Sequence, residues 1–206
     1  MKDHKIFAAG YDVMLKGIEK KVLGRRRAAL LGGLTGTVLD VGAGTGVNLP
    51  YFKAATKVVM AEPDGAMRAK ITPKLAQASV PIELCDAPAQ KLPFADGHFD
   101  AAVCTLVLCT VPDPEASLAE IHRVLKPGGT LVVLEHVEAA EGARLKSWQR
   151  RIQPVWFYAA AGCHLNRDTA TAVEKAGFTF TSLDRFRELP AFAPISPMIQ
   201  GVATRS

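Results

Sequence analysis

The sequence predicts a doubly wound α/β domain, and three observations carry that reading. Short apolar, β-branched runs recur at residues 37–41, 57–61, 81–85, 99–106 and 130–138. Stretches of helical character separate them, so the order is strand, helix, strand. The runs are apolar nearly throughout rather than on alternate positions, which suits strands covered on both faces of a parallel sheet. A chain of 206 residues accommodates one such domain with room for an appendage. With 49% hydrophobic and 22% charged residues, a disordered, collagen-like or coiled-coil chain is excluded.

The elements follow in order. Residues 3–33 read as helical and basic, with breaks expected near Gly10, Gly17 and Gly24. The strand at 37–41 runs into a glycine-rich turn, and a helix is expected from about Val47. After the strand at 57–61, Asp64 is placed to cap a helix over 64–78. A loop over 86–97 separates the strands at 81–85 and 99–106. Asp113 caps the next helix and Pro114 takes its first position, where no amide hydrogen is needed. Leu125-Lys126-Pro127-Gly128-Gly129 stops that helix before the strand at 130–138. The rhythm then breaks: residues 141–165 are aromatic and basic, a helix over 166–176 ends at Gly177, and 178–187 and 198–204 read as two final strands. A Pro-rich stretch over 190–197 joins them.

Charge is local. The net +5 comes from residues 1–30, which hold eight Lys/Arg against three acids, while the remaining 17 basic and 17 acidic residues cancel. A neutral body argues against a nucleic-acid partner. Arg25, Arg26 and Arg27, with a second cluster at Arg144, Lys146, Arg150 and Arg151, read as a basic rim for an anionic or membrane-borne ligand, or as a solvated helical face. Cys85, Cys104, Cys109 and Cys163 form no CxxC pair and stand at no zinc-finger spacing from a histidine. Neither a metal site nor a disulfide framework is expected from them. Residues 1–5 lack the apolar core of a signal peptide, and the longest apolar run, 101–111, is shorter than a bilayer span. The expected location is cytoplasmic, at most peripheral at a membrane.

The sharpest motif is Val38-Leu39-Asp40-Val41-Gly42-Ala43-Gly44-Thr45-Gly46, a buried strand entering a glycine turn. Glycines there let the backbone approach a ligand where a Cβ would collide. Glu62, 20 positions after Gly42 and at the end of the next strand, is placed to accept hydrogen bonds from ribose hydroxyls. The GxGxG spacing departs from the dinucleotide GxGxxG, and Asp40 precedes the first glycine, where it can hold a cationic amino group. A nucleoside bearing an amino acid suits these features better than a dinucleotide, which stays as the poorer alternative.

This pattern resembles the class I S-adenosylmethionine-dependent methyltransferases, and within them the methyltransferase type 11 domain. Asp86-Ala87, Leu92-Pro93-Phe94 with Phe99-Asp100, and the 125–129 turn follow in the family's order, so the likeness covers about residues 37–138. It implies a Rossmann-like, seven-stranded, mostly parallel sheet with an antiparallel last strand. S-adenosylmethionine would be the cofactor, S-adenosylhomocysteine the product, and no metal would be involved. By resemblance Asp40, Gly42, Gly44 and Gly46 surround the methionine moiety, Glu62 the ribose, Met67 and Ala87 the adenine faces, and Asp86 its amino group. The implied cofactor set further includes Tyr11, Ala43, Asn48, Pro63, Cys104, Thr105 and Leu106. Met67 fits core packing equally well, and Asp64 reads as a helix cap.

In doubly wound sheets the ligand crevice lies beyond the carboxyl ends of the strands. That points to residues 104–109 and to Glu135-His136. The donor is already a sulfonium, so the protein's work is to align the acceptor, exclude water and remove a proton where needed. His136 is the candidate base, with a structural strand-end histidine as the competing reading. Cys109, Trp148 and Trp156 join it as candidate acceptor contacts.

Residues 7–12 are similar to the N-terminal helix of small quinone and lipid methyltransferases, whose tyrosine, here Tyr11, closes over the cofactor. Residues 104–109, Glu135-His136, and Trp148-Gln149 through Pro154, Trp156, Gly162-Cys163 and Leu165 resemble the animal thiol methyltransferases. Those proteins carry an apolar anchor at the front where this chain has a basic helix. The resemblance implies methyl transfer to a small, partly apolar acceptor, a thiol first. A phospholipid amine or quinone ring is the alternative, and a catalytically silent cofactor-binding module is the alternative of another class. The expected organisation is a helical cap over residues 1–35 and a methyltransferase domain over 36–206, with a lid insertion at about 139–165. An amphipathic membrane-contact helix competes with the lid reading.

Overall fold

The computed structural model describes residues 10, 16–190 and 193–206. Seven strands, β1 (Gly36–Val41), β2 (Ala55–Ala61), β3 (Ile82–Cys85), β4 (Phe99–Thr105), β5 (Leu125–His136), β6 (Phe178–Phe186) and β7 (Met198–Arg205), form one sheet in the order β3-β2-β1-β4-β5-β7-β6. β7 runs antiparallel to both of its neighbours, and every other pairing is parallel. The described helices are α1 (Gly24–Leu31), α2 (Gly65–Ile71), α3 (Pro114–Val124), α4 (Arg144–Ala159) and α5 (Thr169–Lys175).

The strands are apolar nearly throughout because both faces are covered. Leu39, Val41, Val59, Ala102, Leu131 and Val133 pack with Leu118, Ile121 and Val124 of α3 and Val173 of α5. The alternate residues Val38, Val58, Met60, Ala101, Val103 and Val132 face the opposite way, onto Leu31 of α1 and Ile71 of α2. That alternation is the two-residue period of a strand, with a hydrophobic layer on each side. At the β5-β7-β6 end, Val22 and Leu23 pack on Leu134, Phe186 and Met198, which fastens the segment before α1 to the sheet.

Two helix starts come out as the sequence predicts. Asp64 Oδ1 accepts from the amides of Ala66 and Met67, and Asp113 Oδ1 from that of Ala116. Four expectations are corrected. No helix forms from Val47: the chain makes turns and one 3-10 turn, Leu49–Tyr51. Pro50 lacks the amide hydrogen a helix would use, and the Asn48 side chain is engaged with Asp40. The helix expected over 64–78 ends at Ile71 and gives way to a 3-10 segment, Thr72–Gln77, containing Pro73. The 125–129 turn is the first part of β5, with an irregular register opposite Phe99. Finally, a π-helical turn, Glu19–Leu23, continues into α1 with no break at Gly24. Glycine weakens a helix without ending it, and at Gly24 it leaves room for a close approach, since a Cβ there would lie 2.8 Å from the Tyr51 hydroxyl oxygen.

The basic triplet is not a free rim. Arg25 and Arg26 pair with Glu188, Arg26 also with Asp184, and the Arg26 guanidinium lies 3.4 Å over the Phe186 ring. Arg27 is buried and pairs with Glu19 at 3.1 Å. Among the described residues no helix is long and apolar enough to cross a membrane.

Candidate active site

β1 and β4 are neighbours, and the chain winds outward from them in both directions, so the carboxyl ends of the central strands diverge into a crevice. One cavity of about 780 Å³ opens there, lined mostly by apolar side chains. Gly42, Gly44, Glu62, Pro63 and Met67 line one part of it, and Leu106, Cys109, His136, Trp156 and Cys163 another.

The glycine loop is built for close approach. Gly42 and Gly44 have φ of +60° and +57°, and a Cβ on Gly42 would lie 2.1 Å from Val107 Cγ2. The Gly44 amide donates to Glu62 Oε2 at 2.7 Å, and the Asp64 amide to Glu62 Oε1 at 2.8 Å. Burial pushes the Glu62 carboxyl above its usual range, and these two amides pull it back. The loop and the acidic residue of the next strand are thus one hydrogen-bonded unit.

Asp40 and Asn48 lie beneath the loop rather than on the cavity wall. Asn48 Nδ2 donates to Asp40 Oδ1 at 2.7 Å and to Thr105 Oγ1 at 3.0 Å. From α1, Arg27 Nη1 donates to Asn48 Oδ1 and, at 2.6 Å, to Thr105 Oγ1. Burial raises the Asp40 carboxyl to about 7, opposed by Asn48 and Arg27. Arg27 has no sequence signal of its own, since its burial follows from where α1 docks.

Of the other expected cofactor residues, Ala43, Gly46, Cys104 and Thr105 also lie off the cavity wall, and Cys104 is fully buried. Asp86 is exposed and pairs with Arg68 at 3.1 Å, beside buried Ala87. The neighbouring Pro88, Ala89 and Gln90 reach the wall, and the sequence reading did not include them. Tyr11 lies outside the described residues. Trp148 is 42% exposed and away from the cavity, whereas Trp156 is on its wall.

The other part of the cavity is organised around Glu135. This residue is fully buried, and its Oε1 accepts from the amides of Val107 at 2.8 Å and Leu108 at 2.9 Å. It thereby holds the turn that carries Cys109. That turn begins at Leu106, a non-glycine residue at φ +57°, a strained conformation of a kind that clusters at functional sites. A second loop meets it: the His164 amide donates to the Cys109 carbonyl at 2.8 Å. Gln153 of α4 secures the same loop, donating to the Cys163 carbonyl at 3.2 Å and accepting from the Leu165 amide at 2.7 Å.

The result is a buried cluster. His136 Nε2 stands 3.0 Å from Cys163 Sγ, and the ligating atoms of Cys109, His136 and Cys163 all lie within 4.8 Å of one another. The Cys109 thiol, with His136 beside it, holds the Cys163 thiol far below its usual value. The same pairing, together with burial, pushes the Cys109 thiol well up. The sequence places these residues 27 apart in each interval, so no local motif announces the cluster. Cys109 and His136 were legible as strand-end residues, whereas Cys163 arrives on a loop whose path no periodicity reveals.

A doubly wound sheet with a glycine loop, a strand-end carboxylate and a cavity at the switch point defines an enzyme of the nucleoside-cofactor class. Residues 39–133 match the family model described as a methyltransferase domain. A rat relative, thiol S-methyltransferase TMT1B, is 35% identical over 172 residues, spanning 82% of this chain and 70% of its own. A phosphatidylethanolamine N-methyltransferase of Cereibacter sphaeroides is 33% identical over 57% of this chain and 59% of its own. Among solved structures, a geranyl diphosphate methyltransferase in complex with S-adenosylmethionine superposes with a TM-score of 0.68 at 15% identity, covering 96% of this chain and 91% of that one. The chain belongs to the S-adenosylmethionine-dependent methyltransferases.

Proposed function

We propose that this methyltransferase acts on a small, partly apolar thiol. The observation that carries the reading is the content of the cavity wall. An amine acceptor is cationic at neutral pH and calls for a carboxylate, but among the described residues the lining carboxylates are Glu62 and Asp64, both beside the glycine loop. The part around Cys109, His136 and Cys163 offers sulfur, imidazole and apolar surface instead. The thiol named for the rat relative supports the same choice.

In this reading Gly42 and Gly44 would hold the methionine part of S-adenosylmethionine, Glu62 its ribose hydroxyls, and Met67 with the 86–90 loop its adenine, and the cofactor would supply the methyl group. Arg27, Asn48 and Asp40 brace the loop from beneath. The acceptor sulfur docks against the cluster, where His136 is placed to take the thiol proton. The thiolate attacks the methyl carbon, the carbon–sulfonium bond breaks, and S-adenosylhomocysteine leaves with a thioether. A thiol of ordinary pKa, about 8.5, is a minor thiolate at neutral pH, so proton removal raises the reactive fraction.

Among the described residues, Ile18 and Leu23 before α1 and Trp156, Phe157, Gly162 and Cys163 of the 139–165 segment line this cavity, which supports reading the two segments as a cap and a lid over the site. On α4, Trp148, Arg151, Val155 and Tyr158 form one exposed stripe at helical spacing, with Val155 74% and Tyr158 84% exposed. That stripe suits contact with an anionic membrane surface from which an apolar acceptor would arrive.

Turnover with isotopically labelled donor and a panel of alkyl thiols, amines and quinols tests the acceptor. Methylated thiol is the expected product. Turnover of an amine or quinol with none of any thiol refutes the reading.

A further inference from the structure

We propose that Cys109, His136 and Cys163 form a site for one thiophilic divalent cation, zinc in the first instance, with an open fourth position that takes the acceptor sulfur. The donor set is the first support. Two thiolates and one imidazole are the ligands of a catalytic zinc site, in which three protein groups bind and a fourth position is left for water or substrate. Tetrahedral zinc needs bonds of about 2.3 Å to sulfur and about 2.0 Å to nitrogen. Three ligating atoms within 4.8 Å of one another close onto one ion with small side-chain movements.

The supporting structure is the second. Two of the three ligands, Cys109 and Cys163, are carried by backbone that another group holds in place, and His136 is fixed by its place at the end of β5 opposite Met198. Glu135 holds the turn of Cys109 through two amides, the His164 amide ties the Cys163 loop to the Cys109 carbonyl, and Gln153 grips that loop on both sides of His164. Such outer groups orient ligands before the ion arrives. Access is the third: all three residues line the same cavity as Gly42 and Glu62, so the open position faces the space shared with the cofactor.

The chemistry balances without a redox step. Binding zinc releases the protons still held by the two cysteine thiols, and His136 binds as neutral imidazole, so the site is uncharged overall. An acceptor thiol entering the fourth position loses its proton to solvent and is held as thiolate. Its sulfur forms the new bond to the methyl carbon, and the electron pair of the breaking carbon–sulfonium bond stays on S-adenosylhomocysteine. The neutral thioether is a poor ligand and leaves. In the loaded enzyme the cation therefore takes the place of His136 as the group that makes the thiolate. This role rests on the thiol reading above, whereas the binding of the ion does not.

The test separates the two. The purified protein, stripped with a chelator and reloaded with zinc or cobalt(II), is assayed for bound metal, and the cobalt form is read by its visible spectrum. Stoichiometric zinc and the intense bands of tetrahedral cobalt with thiolate-to-metal charge transfer are expected. Both should be lost in Cys109→Ser/Cys163→Ser with S-adenosylhomocysteine binding retained. A thiol acceptor added to the cobalt form should shift the bands, and the stripped enzyme should regain turnover on zinc addition. Failure of the wild-type protein to take up either metal overturns the site, whatever the double variant does. Metal uptake with undiminished thiol turnover in the stripped enzyme overturns the catalytic role of the ion. Metal uptake with no turnover of any thiol leaves the ion site standing and removes the thiol reading.

Discussion

Replacing Glu62 by Gln should weaken cofactor binding without unfolding the sheet, and the size of the effect can be worked from two hydrogen bonds. The carboxylate accepts from the Gly44 amide at 2.7 Å and the Asp64 amide at 2.8 Å, one on each oxygen. Glutamine keeps a single acceptor oxygen and turns an NH2 toward the other amide, so one bond to a charged group is lost and two donors face each other. A hydrogen bond to a charged group contributes about 1.5–3 kcal/mol. At about 1.4 kcal/mol per factor of ten, the loss corresponds to about 10- to 150-fold, divided between the stability of the glycine loop and its affinity for the nucleoside. Calorimetric titration with S-adenosylhomocysteine, alongside thermal melts with and without it, reads both shares. Glu62→Ala, which leaves both amides without an acceptor, should lose more than Glu62→Gln. If the Gln variant binds S-adenosylhomocysteine as the wild type does and melts at the same temperature, the coupling of loop to carboxylate is wrong.

His136→Ala should lower turnover about 100- to 10,000-fold, the usual range for removing an acid–base group, with S-adenosylhomocysteine binding preserved; equal turnover would return His136 to a structural role. Arg27→Met should cost about 3–5 kcal/mol, as expected when one member of a buried polar network is removed and its partners stay unpaired. A urea midpoint unchanged from wild type would show that Asn48 and Thr105 satisfy each other. Asp40 is raised by burial to about 7, so the folded state keeps a proton that the unfolded chain releases at lower pH. The stability from this group is full below about pH 4 and is lost as pH rises through about 7, and Asp40→Asn should gain on wild type over that window. Parallel stability profiles of the two proteins would refute this. Val155→Glu/Tyr158→Glu should abolish flotation with anionic vesicles while leaving the melting temperature unchanged, and unaltered flotation would dismiss the stripe as a membrane contact.

The sheet was legible because its signal is local. Each strand announces itself by a run of β-branched residues, and Asp64 and Asp113 mark helix starts through their own chemistry. Boundaries failed where a tertiary contact decided the backbone, as at Asn48, which bonds Thr105 as well as Asp40, and at Gly24, which the Tyr51 hydroxyl approaches closely. The glycine loop and Glu62 were legible for the same reason as the strands: residue type, order and spacing carry the information. The Cys109, His136 and Cys163 cluster was only half legible. Two members follow from the rule that ligands gather at strand ends, but Cys163 is delivered by the chain after α4, and nothing in its neighbours' composition states where that chain returns. The local reading of Arg25, Arg26 and Arg27 as one basic patch failed because their partners, among them Glu188, Asp184, Asn48 and Thr105, are distant in sequence.

Arg27 ties the floor of the glycine loop to a helix that precedes the sheet in the chain, and it reaches Thr105 across 78 residues. Helix and loop are therefore thermodynamically linked: a ligand that binds the loop also holds down the helix that braces it, so cofactor should raise the stability of both together.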